Sequence, residues 1–103
     1  MEEPPPPQNN IKLTVNPAEV HLKLGSAYAR KSEINGAVAN YNRAIELDSQ
    51  YAEAYYQRAI VYSAVQDYNS AISDGAQFLK LAPIDPRADQ MKQWIEEWQN
   101  QVK

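Results

Sequence analysis

This chain of 103 residues carries a formal net charge of −3, and its acidic and basic side chains are mixed along the sequence. The length allows one domain of modest size, and the lack of a basic cluster argues against a nucleic-acid partner. No apolar run is long enough to span a membrane, and without cysteine the chain has no disulfide, thiolate metal ligand or cysteine nucleophile. We therefore expect a soluble protein with no membrane partner. These features do not fix the compartment, although a cytoplasmic location is the first expectation.

The first fifteen residues have the composition of a linker. Four consecutive prolines, Pro4 to Pro7, fix extended backbone conformations and remove hydrogen-bond donors, so a helix cannot form there. Residues 11–15 alternate apolar and polar side chains, but the stretch is too short for a sheet and is expected to lie against the first helix. Residues 1–15 are predicted to be a disordered, proline-rich tail or linker; a polyproline ligand is the alternative.

Two helices are predicted next. Asn16 is the N-cap of the first, Pro17 occupies its first helical position and Glu19 follows three residues after the cap. Apolar side chains then recur at helical spacing, break at Ser32 and Glu33, and resume on a second stripe. Because the connection is short, the two helices are expected to be antiparallel neighbours.

The same arrangement recurs in the second half of the chain. Ser49 precedes a third helix, and a break at Gln66 and Asp67 separates the third helix from a fourth. Asp85 with Pro86 repeats the combination of cap and proline that begins a helix. The sequence therefore predicts an all-α fold of five helices.

An internal repeat explains this recurrence. A shift of thirty-four residues superimposes the two halves, and that period is typical of a helix-turn-helix unit that must stack on its neighbours to bury its apolar face. The identical pairs at this shift are Ala18/Ala52, Glu19/Glu53, Tyr28/Tyr62, Asn35/Asn69, Ala37/Ala71 and Leu47/Leu81.

These positions resemble the tetratricopeptide-repeat (TPR) family, whose pattern sets small residues, aromatic residues and a proline at fixed places. The matching residues are Gly25, Tyr28, Ala37, Tyr41 and Ala44 in the first repeat and Ala59, Tyr62, Ala71 and Pro83 in the second. The resemblance implies an α-solenoid in a domain of residues 16–103. Its antiparallel repeats are residues 18–51 and 52–85, and a closing helix covers residues 86–101.

Three departures from the family pattern are informative. Gly75 stands where the first repeat has Tyr41, and Phe78 stands where it has Ala44, so large and small side chains exchange places one helical turn apart. We interpret this exchange as an adaptation of the second repeat to a closing helix instead of a further repeat. Arg58 occupies a position where the family usually has leucine.

An enzymatic function has little support. His21 is the only histidine, and neither a glycine-rich phosphate loop nor a metal-binding spacing is present. In the repeat register His21 faces its partner helix, and acidic residues such as Asp74 are expected at caps or on the surface. We predict no catalytic residues, no metal and no cofactor.

A protein-interaction module, either a scaffold or an adaptor, is the leading hypothesis. The resemblance implies a concave groove lined by the first helix of each repeat, which holds a protein or peptide partner. The predicted partner-binding residues are Leu22, Lys23, Ser26, Arg30, Tyr56, Gln57, Ile60 and Trp94. The alternatives are a solvated face that binds nothing and a structural unit that forms homo-oligomers through stacked repeats or the C-terminal helix.

One subtype of the family is argued against. The carboxylate clamp that holds the C-terminal tail of heat-shock chaperones uses lysine and asparagine side chains. The corresponding positions here are Leu22, Ser26 and Gln57, which lack the charged donors that a terminal carboxylate needs. A heat-shock chaperone tail is therefore not the expected partner.

The closing helix carries an apolar stripe whose members are Met91, Trp94, Ile95, Trp98 and Val102. Continuing the repeat register places Met91, Trp94 and Trp98 toward the groove, while Ala88 and Ile95 turn toward the second repeat. Trp94 is then expected to be partly exposed and to contact a peptide or a second copy of the chain. The alternative is that the whole stripe covers the end of the second repeat.

Overall fold

The computed structural model describes residues 15–103, which form five α-helices and no strand. The helices are α1 (Pro17–Arg30), α2 (Ile34–Leu47), α3 (Ala52–Ala64), α4 (Tyr68–Leu81) and α5 (Ala88–Gln101). α1 packs on α2, α3 packs on α4 and α5 packs on α4, so consecutive helices form hairpins. The predicted all-α solenoid of two repeats and a closing helix is confirmed. Residues 1–14, and with them nearly all of the predicted tail, lie outside the described residues.

The helix starts only partly follow the predicted caps. The Asn16 side chain accepts hydrogen bonds from the backbone N–H groups of Ala18 and Glu19, as the cap pattern predicts. Ser49 caps no helix, because α3 begins at Ala52 without a side-chain cap. α5 begins at Ala88, two residues later than expected, because the Asp85 carboxylate accepts the backbone N–H of Arg87 and holds a turn there.

The two hairpin turns are built in the same way. Ser32 and Gln66, one repeat apart, both have positive φ, of 60° and 65°. After each of them the next backbone N–H bonds to a carbonyl five residues earlier, Glu33 to Tyr28 and Asp67 to Tyr62. This is the Schellman ending of a helix, which reverses the chain tightly enough to make the two helices antiparallel neighbours.

Close helix packing in the first repeat depends on Gly25. It is buried on α1, and a Cβ placed there would lie 2.6 Å from the ring of Tyr41 on α2. The Tyr41 ring therefore occupies the space that a side chain at position 25 would fill. Tyr41 is fully buried, and its hydroxyl lies 3.2 Å from Ser26 Oγ.

In the second repeat the buried glycine on α4, Gly75, faces α5 instead of its hairpin partner. A Cβ at Gly75 on α4 would lie 2.7 Å from Met91 Sδ and 3.1 Å from Ile95 Cδ1. Phe78, one turn further along α4, is fully buried. The exchange of large and small residues thus makes room for the closing helix, in agreement with the sequence interpretation.

Arg58 joins the two repeats through a buried polar network. Its Nε and Nη2 donate to the two carboxylate oxygens of Asp74 on α4, and its Nη1 donates to Asn42 Oδ1 on α2, each at 2.7 Å. Asp74 is only 4% exposed, so the expectation that it lies at a cap or on the surface is wrong. A buried charge of this kind is tolerated because it is paired and hydrogen-bonded on both oxygens.

Two aromatic residues of the first repeat, Tyr28 and Tyr41, are predicted to differ in their contribution to stability. Tyr41 is fully buried, whereas Tyr28 keeps 37% of its surface exposed over Gly36. We expect Tyr41→Ala to lower the free energy of unfolding by about 3–5 kcal/mol, and Tyr28→Ala by less than half as much. Urea unfolding followed by circular dichroism measures both variants, and equal losses would contradict the packing described here.

Candidate functional site

An aromatic surface connects α3 to α5. Tyr56 packs between Phe78 and Trp94, with ring centroids 5.0 and 6.2 Å away, and Trp94 in turn lies 6.1 Å from Trp98 at an interplanar angle of 25°. Trp98 is buried, whereas Tyr56 and Trp94 are half-buried. The partly exposed Trp94 that the sequence predicts is therefore present in the structure.

A cleft of about 280 Å³ lies beside this surface. Ile60 and Ser63 of α3 form one wall, and Trp94, Glu97 and Trp98 of α5 form the other. Sites for whole small molecules usually enclose roughly 300–1,000 Å³. The cleft therefore has the size to receive one or two side chains of a partner.

Arg87 closes one end of the aromatic surface. Its Nη2 lies 2.8 Å from Glu53 Oε1 and its Nε lies 3.0 Å from Asp85 Oδ1. The guanidinium carbon is 4.3 Å from the centroid of the Tyr56 ring, which is a cation–π distance. The connection before α5 is thereby tied to the first turn of α3.

The ion pair sets the charge state of this end of the site. Burial works to raise the pKa of Glu53, but the hydrogen bonds donated by Arg87 and Gln57 outweigh it, so the pKa of Glu53 is lowered. Hydrogen bonds to Asp85 and to Glu53 raise the pKa of Arg87. Both side chains are therefore charged at neutral pH.

Three of the predicted partner-binding residues come together around the cleft. Ile60 and Trp94 line it, and Tyr56 adjoins it through its contact with Trp94. Gln57 lies on the same helix, but its Nε2 donates to Glu53 Oε2 at 2.9 Å. The Gln57 amide supports the ion pair of Glu53.

The predicted residues of the first repeat do not join this cleft. Leu22 is half-buried against the core around Tyr41, and the Ser26 hydroxyl is engaged with that of Tyr41. Lys23 is exposed, 3.6 Å from Glu19, and Arg30 is exposed in the last turn of α1. The assignment of these four side chains to one binding surface with Tyr56 and Ile60 stays a prediction.

Met91 of the closing helix departs from the register expected from the sequence. Met91 is fully buried against Gly75 and does not face the groove, so that expectation is wrong. Ile95 meets the second repeat and Ala88 is buried, as expected. Val102 lies beyond the end of α5 and is 43% exposed, so it does not extend the packed stripe.

Sequence reasoning missed three residues of this region. Ser63 and Glu97 carry no motif and resemble ordinary surface positions of a helix. Arg87 gives a signal only through the Asp85-Pro86-Arg87 segment, whose pattern predicts a simple helix start. Their roles depend on which helix lies opposite, and a single sequence does not report that.

Among residues 15–103 no group of three or more histidine or acidic side chains is arranged to hold a metal ion. His21 Nδ1 lies 3.0 Å from Asn40 Oδ1 on α2, so His21 faces its partner helix. Within the same residues no helix combines the length and the apolar character that crossing a membrane requires.

Comparisons with known proteins agree with this architecture. A family model described as TPR repeat matches residues 30–66, and one described as tetratricopeptide repeat matches residues 52–85. Among solved structures, the crystal structure of MamA protein superimposes with a TM-score of 0.75 and 29% sequence identity over 90% of this chain. The match covers 51% of that protein, so the present chain spans about half its length. No curated protein matches the sequence.

The Glu53–Arg87 pair predicts a pH dependence of stability. Because the pKa of folded Glu53 is lowered, the pair stabilises the fold above the ordinary carboxyl pKa of about 4.5 and loses this contribution as the pH falls through the lowered value. We expect Glu53→Gln to be less stable than the parent by about 1 kcal/mol or less at pH 7, since Arg87 is still 39% exposed.

The difference between Glu53→Gln and the parent is expected to vanish in acid, as measured by urea unfolding across a pH series. Glu46→Gln is the matched control, because its pair with Arg43 is exposed on both sides and contributes little. A difference that persists unchanged below the folded pKa would contradict the assigned role of the pair.

Proposed function

We propose that this chain, which belongs to the tetratricopeptide-repeat family and is a protein-interaction repeat module, binds a peptide segment of a protein partner between α3 and α5. The observation that carries the proposal is the cleft beside the Tyr56–Trp94–Trp98 surface. Aromatic rings around a pocket of side-chain size are typical of the places where interface energy concentrates.

The family also bears on the question of catalysis. Its members are typically interaction modules without catalytic activity, which supports the prediction that this chain is not an enzyme. The scaffold or adaptor role, the identity of the partner and the exclusion of heat-shock chaperone tails are parts of the proposal. The internal hydrogen bonds of Ser26 and Gln57 argue further against a carboxylate clamp.

The binding surface can be tested by filling the cleft. Ser63→Gln places a longer polar side chain in the cleft at a helical position, and it is expected to weaken binding of peptides selected from a displayed library at least about tenfold. Ser73→Gln makes the same change at an exposed position of α4 away from the cleft and is expected to bind like the parent. Isothermal calorimetry measures the affinities, and circular dichroism checks the fold.

Two outcomes of this experiment would count against the proposal. Equal affinity of both variants for the selected peptides would move the binding surface to another face of the solenoid. A library from which no peptide binds the intact chain would argue that this cleft is not a peptide site.

A second candidate function is self-association through α1. Val20, Leu24 and Tyr28 lie on one face of α1 at spacings of four and are 43%, 44% and 37% exposed. Tyr28 lies partly over Gly36 of α2, whereas Val20 and Leu24 are among the exposed large apolar side chains of residues 15–103. The equivalent position of Leu24 in the second repeat is Arg58, which bonds to Asn42 of the preceding helix α2. The stripe therefore lies where a preceding helix would pack.

Light scattering after size exclusion across a concentration series tests the second candidate. If stacking through α1 occurs, the molar mass rises to that of a defined oligomer. Leu24→Glu is then expected to restore the monomer mass, whereas Ala39→Glu, at an exposed position of α2, is not. A monomer at every concentration would exclude self-association and leave the peptide-binding proposal in place.

A further inference from the structure

We infer that the cleft between α3 and α5 receives a positively charged side chain, arginine or lysine, of the protein partner. This inference rests on the proposed function and names the chemistry of the ligand at the same site. Four features of the cleft carry it: its size, its aromatic wall, one carboxylate and the ends of two helices.

The aromatic wall provides a surface on which a cation can rest, chiefly the half-buried ring of Trp94, since Trp98 is buried behind it. The rings of Trp94 and Trp98 lie 6.1 Å apart and close to parallel, and both line the cleft. Tryptophan is the aromatic side chain that attracts cations most strongly through its ring face. Arg87 already uses the neighbouring Tyr56 ring in this way, at 4.3 Å.

Of the residues 15–103 that line the cleft, Glu97 is the only charged one. Among residues 15–103 it takes part in no ion pair, whereas Glu53, Asp74 and Asp85 are all paired with arginine. Its carboxylate is exposed and lies on the same wall as the two tryptophans. A cation seated on the rings therefore has a counter-charge within the same cleft.

The helix ends add negative potential to the cleft. Ser63 lies in the last turn of α3, which ends at Ala64, and Trp98 lies one turn before the end of α5 at Gln101. The C-terminal end of a helix carries a partial negative charge. Neither helix has a basic residue in its last turn to neutralise that charge.

The lining thus discriminates among side chains. An acidic side chain would meet Glu97 and two negative helix ends, and a purely apolar one would contact the rings but leave the carboxylate unpaired. An extended basic side chain fits all four features, because its apolar stem packs on the aromatic wall while its charged head reaches Glu97 near the two helix ends.

Degenerate peptide pools test the inference on the intact chain. The probes are four pools of acetylated and amidated heptapeptides whose central residue is fixed as arginine, lysine, norleucine or glutamate. We expect the immobilised chain to retain the arginine and lysine pools about fivefold more than the norleucine pool at low salt, and the glutamate pool least. The preference should diminish at high salt, since the Glu97 carboxylate is exposed.

Two variants assign the preference to the cleft. Glu97→Gln keeps the shape of the side chain and is expected to remove most of the preference for the basic pools over norleucine. Glu96→Gln, at the preceding exposed position that does not line the cleft, is the matched control and should keep it. Thermal unfolding of both variants is expected to match the parent, because both positions are exposed.

The outcomes separate the inference from the proposed function. If the norleucine pool is retained as well as the basic pools and Ser63→Gln abolishes that retention, the cleft binds peptides but the inference of a basic ligand is wrong. An undiminished preference in Glu97→Gln would also overturn the inference. Retention of no pool would overturn both the inference and the proposed function.

Discussion

A helical hairpin of this sequence has more than one apolar face but can bury only one of them within itself. The first hairpin closes on itself because Gly25 admits the Tyr41 ring between α1 and α2. The second hairpin uses its glycine for the next element, since Gly75 admits Met91 and Ile95 of α5. Because α5 packs on α4 beside α3, α3 and α5 face each other, and the cleft lined by Ile60 and Trp94 lies between them.

The two ends of the solenoid differ in whether their apolar side chains are covered. At the C-terminal end α5 buries Met91 and Trp98 against the second repeat and turns exposed polar residues, such as Gln93 and Glu96, outward. At the N-terminal end of the described residues α1 presents the apolar side chains of Val20 and Leu24. One end therefore has the polar outer face of a terminal cap, and the other has the character of an internal interface.

Charged groups have two distinct uses in this small core. Arg58 and Arg87 each tie separate helices together, Arg58 through Asn42 and Asp74, and Arg87 through Glu53 and Asp85. Both guanidinium groups also lie against aromatic rings, where their donors are directed to fixed acceptors. Among residues 15–103 Glu97 forms no ion pair of this kind, and its carboxylate lies in the lining of the cleft.

The sequence by itself determined the period and therefore the fold. The period of thirty-four residues can be seen in the sequence itself. The Asn16 cap and the breaks at Ser32 and Gln66 can also be recognised there, because caps, turns and apolar spacing each depend on only a few neighbouring residues. The same register predicts that Tyr56, Ile60 and Trp94 share a surface, and in the structure Ile60 and Trp94 line the cleft while Tyr56 contacts Trp94.

Only the tertiary structure decided which side chains share a surface. The packing of α5 against Gly75 buries Met91, and Glu97 of the same helix lines the cleft. The pairing of Asp74 with Arg58 places in the core a carboxylate that is expected on the surface. These outcomes depend on the space left by Gly75 and on contacts between residues distant in sequence. Helical periodicity fixes the face of a helix, but it does not fix what packs against that face.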